Sequence, residues 1–349
     1  MFSSYSIFIM KKIATLLVLL GACLVLDAQI VTSYEKPTHK ELKKAVKTVL
    51  YKTSCYAEDR AERVEAMGVI QRQLNNFTTK DWAQYESLTD KKDIAAAEEA
   101  GAMYFYREAA RKVLKEVKST KVKQGSVVMW SLYNMGYIVK TPSHTFAMDL
   151  RHMHADEFAE CLDFVMISHK HADHGAIREY KAFAAAGVPV YAGYMPKSMP
   201  EGLVWNFVED GGEFHVGNIS VKGKRVDHSY KGEGLKLVTA FEVDCGADAG
   251  NTVIFHSGDG RNYEQLEPEK PVDFFIFHVS VGLKIQQAID KIKPQYAVFS
   301  HAWELGHEVE KWRWTIDDLV TKADAIEGFP ADRLLFPCWG ERIEYVRSN

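Results

Sequence analysis

The stretch "SHKHADHG", Ser168–Gly175, decides how this chain is read. Three histidines and an aspartate, His169, His171, His174 and Asp173, fall within six positions directly after the apolar run "DFVMI" at 163–167. Neither a helix nor a solvated loop needs imidazole at this density. Imidazole and carboxylate are the ligands that suit zinc and similar divalent ions. On an extended backbone His169 and His171, two apart, point the same way. The loop beyond them can turn Asp173 and His174 towards a neighbouring point. Two partly ligated points side by side predict two metal ions.

Each ion needs further ligands, and three later strand ends offer them. "KRVDHS" carries His228, "TVIFHSGDG" carries Asp259 in a turn flanked by glycine, and "QYAVFSHAW" carries His301. Residues at strand ends lie on one rim of a sheet, which is how distant positions converge. His256 and His278 also lie near strand ends and are read as structural. His152 and His154 in "RHMH" have no acidic partner in the same short run and are read as loop residues beside the site at most. His307 in "ELGHE" reads as a helix-start surface histidine, with a supporting role as the alternative. Trp303 and Glu304, next to His301, are candidates for facing substrate.

Around this site the chain changes texture twice. Residues 1–28 read as a signal peptide: "MKK" at 10–12, then the apolar "IATLLVLLGACLVL", then "DAQ", with cleavage after Ala28. The apolar run is short for a membrane span. A lipoprotein signal at Cys23 is the rival, disfavoured by the apolar "LVL" that follows it; an uncleaved anchor is a further alternative. The expected location is therefore periplasmic or extracellular, with no membrane span in the mature chain. Residues 29–122 form a helical region. "DRAERVEAMGVIQRQL" puts Val64, Met67, Ile70 and Leu74 on one face, and "AMYFYREAARKVLKEV" does so with Met103, Tyr106, Ala110, Val113 and Val117. "TTKDW" at 78–82 marks a break with a new cap. This region is read as a layer packed on the main domain, with a lid or dimer surface as the alternative. Residues 123–349 alternate short β-branched and aromatic strands with a few helices, which predicts a sandwich of sheets with helices outside.

The formal net charge of −4 carries no basic footprint, so a nucleic-acid partner is not favoured and a small-molecule substrate is. Four cysteines outlast the signal: Cys55, Cys161, Cys245 and Cys338, with no CxxC spacing. Export would permit disulfides, and three full pairings are open; four buried free thiols is the preferred reading. Oligomeric state is left open.

"HKHADH" resembles the HxHxDH signature of the metallo-β-lactamase-fold hydrolases, and "VDH", "HSGD" and "SHAW" follow in that family's order. "VIFHSGDG" and "IKPQYAVFSHAWELGH" look like the branch that includes ascorbate-phosphate lactonase. The resemblance spans about Ser126 to the C-terminus. It implies an α+β fold, a four-layer αββα sandwich with the metal site on one edge. It further implies that His169, His171 and His228 hold one metal, that Asp173, His174 and His301 hold the second, and that Asp259 bridges them. Asp149 in "FAMDL" matches an aspartate that supports the metal loop. Members of that branch often carry a histidine near the first hairpin, where this chain has Asn134.

The chemistry implied is metal-assisted hydrolysis, with two divalent ions, zinc first and manganese or iron also suited, acidifying water. Asp173 is the candidate catalytic residue, orienting the nucleophile or moving a proton. "HSGDG" and "SVG" lack the GxSxG elbow, so a serine hydrolase is unsupported. β-Lactamases of this fold usually carry cysteine or serine where Asp259 falls, so a lactone or other carboxylic ester comes first. Phosphodiester hydrolysis is the alternative. A secreted metal-binding protein without catalysis is the reading of a different class; seven candidate ligands for two ions leave room for water, which favours the enzyme.

Overall fold

The computed structural model describes residues 36–56, 60–307 and 313–347. The signal segment 1–28, with Cys23 and the cleavage point, lies outside the described residues. From Pro37 onward the chain is one compact unit. Among the described residues no helix is long and apolar enough to cross a membrane.

Five helices come first: α1 (His39–Tyr51), α2 (Ala61–Leu74), α3 (Thr79–Glu86), α4 (Lys91–Ala97) and α5 (Gly101–Ser119). The break at "TTKDW" is the start of α3: Thr78 accepts from Asp81 N, and the Asp81 carboxylate accepts from Thr78 N, a reciprocal cap. Strands then dominate. β1 (Ser126–Ser131), β2 (Tyr137–Lys140), β3 (Thr145–Met148), β4 (Phe164–Ile167), β5 (Val190–Ala192) and β6 (Trp205–Phe207) form one sheet with β14 (Arg342–Val346), in the order β14-β1-β2-β3-β4-β5-β6. The second sheet runs β13-β12-β11-β10-β9-β8-β7. Its strands are β7 (Glu213–Val216), β8 (Ile219–Val226), β9 (Val238–Asp244), β10 (Val253–His256), β11 (Phe274–His278), β12 (Tyr296–Ser300) and β13 (Leu334–Leu335). Three-residue β6 and the half-exposed β7 are edge strands that the sequence reading did not pick out; neither buries a residue fully, although β7 alternates exposed Glu213 and His215 with half-buried Phe214 and Val216.

Period-two alternation explains why the sheets stack. Val127, Met129, Tyr137, Val139, Phe146 and Phe164 of the first sheet meet Val221, Phe241, Val243, Ile254, Phe274 and Ile276 of the second in one buried core. Their neighbours Val128, Trp130, Ile138, Ala147 and Val165 point out and are covered by the C-terminal half of α5, by α6 (Ala155–Ala159) and by α7 (Ile177–Ala186). On the far side Phe255, Phe275, Phe277 and Phe299 are covered by α1 to α3, by the N-terminal half of α5, by α8 (Ile285–Ile292) and by α9 (Ile316–Asp324). The result is the four-layer αββα order, and α1 to α5 belong to its outer layers.

Two expectations are refined. Val64 is only half-buried, and the neighbouring Arg63 takes its inward place. All four cysteines are free, but Cys161 is half-buried where the other three are buried.

Candidate metal centre

β4 runs straight into Ser168, and the amide of Thr239 on β9 donates to the Ser168 carbonyl at 2.8 Å. The two sheets therefore meet where the histidine-rich loop begins. β8, β10 and β12 all end on the same rim, delivering His228, Asp259 and His301. The structure brings all seven candidates together in two groups. His169, His171, His228 and Asp259 form one; Asp173, His174, Asp259 and His301 form the other; within each, one ligand atom per residue lies within 4.8 Å of every other. Asp259 belongs to both.

The spacings can be compared with a coordination shell. A tetrahedral ion with bonds of 2.0–2.1 Å sets its ligand atoms about 3.3 Å apart. Here His169 Nε2 to His171 Nδ1 is 2.9 Å, His228 Nε2 to Asp259 Oδ2 is 3.4 Å and His169 Nε2 to Asp259 Oδ2 is 3.8 Å. In the second group His174 Nε2 lies 3.2 Å from both Asp173 Oδ2 and Asp259 Oδ1, and His301 Nε2 lies 3.0 Å from Asp173 Oδ2. His174 Nε2 and Asp259 Oδ1 are buried without a properly formed hydrogen bond. A buried polar atom left so costs about 1–3 kcal/mol, and a cation between them would satisfy both. The donor set fits divalent ions.

The tautomers fit as well. Asp149 accepts from the Ser168 amide at 2.7 Å, from Ser168 Oγ at 2.7 Å and lies 2.8 Å from His174 Nδ1. A carboxylate accepts, so His174 carries a proton on Nδ1, and Nε2 is the atom left for an ion. Ser168 Oγ spends its one O–H donating to Asp149, so it can only accept from His169 Nδ1–H at 3.0 Å, which likewise frees His169 Nε2. Asp149→Asn should therefore weaken metal binding by about 10–100-fold. Competition with a chromophoric chelator measures this; unchanged affinity would mean that Asp149 does not set these tautomers.

Charge is balanced by opposites. Burial would raise the Asp259 carboxyl, but His174, His278 and His301 outweigh it and hold it well below the usual carboxylate range. Asp173 is likewise held low against burial, by His174 and His301. Burial would lower His301, yet Asp259 and Asp173 leave it pushed up to about 9. His174 is held well above its ordinary value against burial by Asp259, Asp173 and Asp149. Burial keeps His169 and His171 low. Without an ion, then, two imidazoles of the second group hold protons that an ion must displace. Uptake of zinc at pH 7 should release about two protons per chain. Because His301 loses its own proton near pH 9, affinity should climb as pH rises towards that value and gain nothing further from His301 above it. A pH-indicator titration in weak buffer reads the protons directly.

The backbone at the site is unusual. Asn134, Asp149, His301 and Trp303 are non-glycine residues with φ of 55°, 45°, 66° and 61°. Such left-handed positions concentrate where surrounding structure over-determines them. The Asn134 carbonyl accepts from the His301 amide at 3.3 Å, joining the first hairpin to the last ligand loop. Arg151, which sequence reasoning missed, is buried in ion pairs with Glu179 and with Glu86 of α3, and its Nε donates to the Ala172 carbonyl at 2.8 Å. It thereby ties the ligand loop to the helical layer. No local signal announces an arginine whose partners lie 65 and 28 positions away.

The other candidates separate. His256 donates from Nε2 to the Met135 carbonyl at 3.1 Å and accepts from the Gly258 amide at Nδ1 at 3.3 Å, bracing the turn before Asp259. His152 stacks on Tyr106 at 4.1 Å, and His154 pairs with buried Glu98 at 2.8 Å and with Glu157; neither joins the cluster, nor does His307. Trp303 does not face substrate: it is buried against Phe105 and Trp339 and donates to Gln71 of α2. Glu304 is also buried, 3.9 Å behind His301 Nδ1, and burial, against the pull of His301, raises its carboxyl to about 7.

Residues 134–299 match the family model described as a beta-lactamase superfamily domain. That range holds six of the seven clustered side chains and ends just before His301. The match is to the superfamily and not to the lactonase-bearing branch in particular. No curated protein matches the chain. Among solved structures the chain is similar to the metallo hydrolase Igni18 of the archaeon Ignicoccus hospitalis (13% identity, TM-score 0.49, 64% of this chain and 100% of that one). It is similar to a possible metal-dependent hydrolase of Veillonella parvula (12%, 0.49, 64% and 99%). It is also similar to CmlA, a diiron beta-hydroxylase of Streptomyces venezuelae (11%, 0.48, 65% and 55%).

Proposed function

We propose that this protein is an exported metal-dependent hydrolase that acts on a lactone or other carboxylic ester. The observation that carries the reading is the pair of four-residue groups sharing Asp259, with ligand atoms within 4.8 Å. His169, His171 and His228 would hold one ion, Asp173, His174 and His301 the other, with Asp259 common to both. Divalent ions there would supply water acidified to near-neutral pKa and would polarise the scissile carbonyl. The rest falls to the chain itself. Asp173 has the most exposed carboxylate of the cluster, 23% accessible. It can orient the attacking water and hold its proton at Oδ. Asp149 and Ser168 fix the ring orientations, and Arg151 holds the loop. Zinc suits the imidazole-rich set.

The test uses the mature protein. Bound metal is counted by elemental analysis, and turnover is assayed on lactones, thioesters, phosphodiesters and a β-lactam, with and without a chelator. Metal-dependent turnover of a lactone or ester is expected. Two metals with no metal-dependent turnover on any of these would replace the enzyme reading by a binding one.

A further inference from the structure

His278, which the sequence reading set aside as structural, closes β11 beside His301; the two rings stack at 3.8 Å and 12°. Its Nδ1 accepts two backbone amides, Ser280 N at 2.9 Å and Val281 N at 3.2 Å. An amide can only donate, so Nδ1 holds a lone pair, and the proton of the neutral ring sits on Nε2. This is the reverse of His174, whose Nδ1 carries the proton. A protonated Nε2 cannot ligate an ion, so His278 is not an eighth ligand although it lies in the same wall.

That N–H nevertheless lies beside the site. Nε2 is 4.0 Å from Asp259 Oδ2, too far for a hydrogen bond, and it makes none with any other described residue. The stack on His301 and the two amides prevent the ring from turning to close the gap. A fixed, unspent donor on the wall of a cluster otherwise built of acceptors is what stabilises an oxyanion.

We propose that His278 donates its Nε2–H to the substrate oxygen on which negative charge develops, as one arm of an oxyanion hole. No covalent bond to His278 forms, and its proton stays on Nε2. The proposal rests on the hydrolase reading given above, but its test does not need a known substrate. Inorganic phosphate, a tetrahedral oxyanion, is titrated by calorimetry into the metal-loaded wild type and into His278→Phe and His278→Gln. Phe keeps the stack and removes the donor. Gln can accept the two amides and restore an N–H.

Binding of phosphate about tenfold or more weaker in the Phe variant, with recovery in Gln and two metals kept in both, supports the donor. With whichever ester the wild type turns over, kcat should fall roughly 10²–10³-fold in the Phe variant while KM holds. Equal phosphate binding in all three proteins would overturn the proposal. So would loss of a metal ion in the Phe variant with recovery in Gln, which would make His278 a positioning residue for Asp259. Should Phe fail to fold by circular dichroism, His278→Leu, which likewise has no donor, replaces it, and the same outcomes decide. If the wild type turns over nothing, the hydrolase reading falls, and the calorimetry still decides the role of His278.

Discussion

Asp259→Ala is expected to lower kcat/KM by roughly 10³-fold or more, at least what a lost oxyanion donor costs, and to leave at most one tightly bound metal ion per chain. The turn that carries Asp259 sets its position. Gly258 has φ of +50°, and a Cβ there would fall 2.7 Å from Ser168 Cβ and 2.9 Å from Val238 Cγ1. Glycine thus lets the turn press against the residue that precedes His169, and this contact places the next carboxylate between the two histidine groups. Oδ1 reaches His174 and Oδ2 reaches His228 and His169. No other side chain belongs to both groups. Truncation leaves three imidazoles on one side and one carboxylate with two imidazoles on the other, and it removes the charge that holds two ions at close range. Asp259→Asn keeps the shape and removes the charge, so it separates the two contributions. Elemental analysis and steady-state kinetics on the same preparations check the prediction. Two retained ions with activity within a few-fold of wild type would mean that the shared carboxylate does not organise the site.

How much of this was legible beforehand depends on where the information resides. His169, His171, Asp173 and His174 are adjacent in the chain, so their spacing alone suggests a ligand loop. His228, Asp259 and His301 are isolated, but each follows a strand-like run, alternating apolar and polar before His228 and largely apolar before the other two, and strand ends share a rim. The αββα layers follow from alternation such as Val127 and Met129 in, Val128 and Trp130 out. What stayed hidden is tertiary. Which nitrogen of His278 is bare depends on the amides of Ser280 and Val281, and which face Trp303 turns inward depends on a left-handed backbone at Trp303 itself. Arg151 and Arg63 are charged residues in apolar surroundings, where hydrophobic periodicity can only misread them. Arg63 displaced Val64 from the inner face because a carboxylate 278 positions away receives it.

That pair is the second large effect. Glu341→Ala should destabilise the protein by about 3–5 kcal/mol, the usual cost of leaving one member of a buried ion pair alone. Arg63 is 1% exposed and Glu341 4%, 2.5 Å apart. Arg63 also donates to the Phe336 carbonyl at 2.7 Å, and Glu341 accepts from the Cys338 amide at 2.6 Å. The pair therefore clamps α2 to the segment between β13 and β14. Burial leaves the Glu341 carboxyl above its ordinary value despite Arg63, whereas Glu341 raises Arg63 despite burial; what argues for the double replacement is that taking two charges out of water offsets much of what their attraction returns. It follows that removing both charges should do less harm than removing one. Arg63→Met with Glu341→Leu is expected to recover most of the loss, because a well-packed apolar replacement of a buried pair is often neutral or better. Denaturant melts of the two single variants and the double variant close the cycle. A loss below about 1 kcal/mol in Glu341→Ala would show that Arg63 escapes to water, and with it that this clamp adds little to what holds α2 to the sandwich.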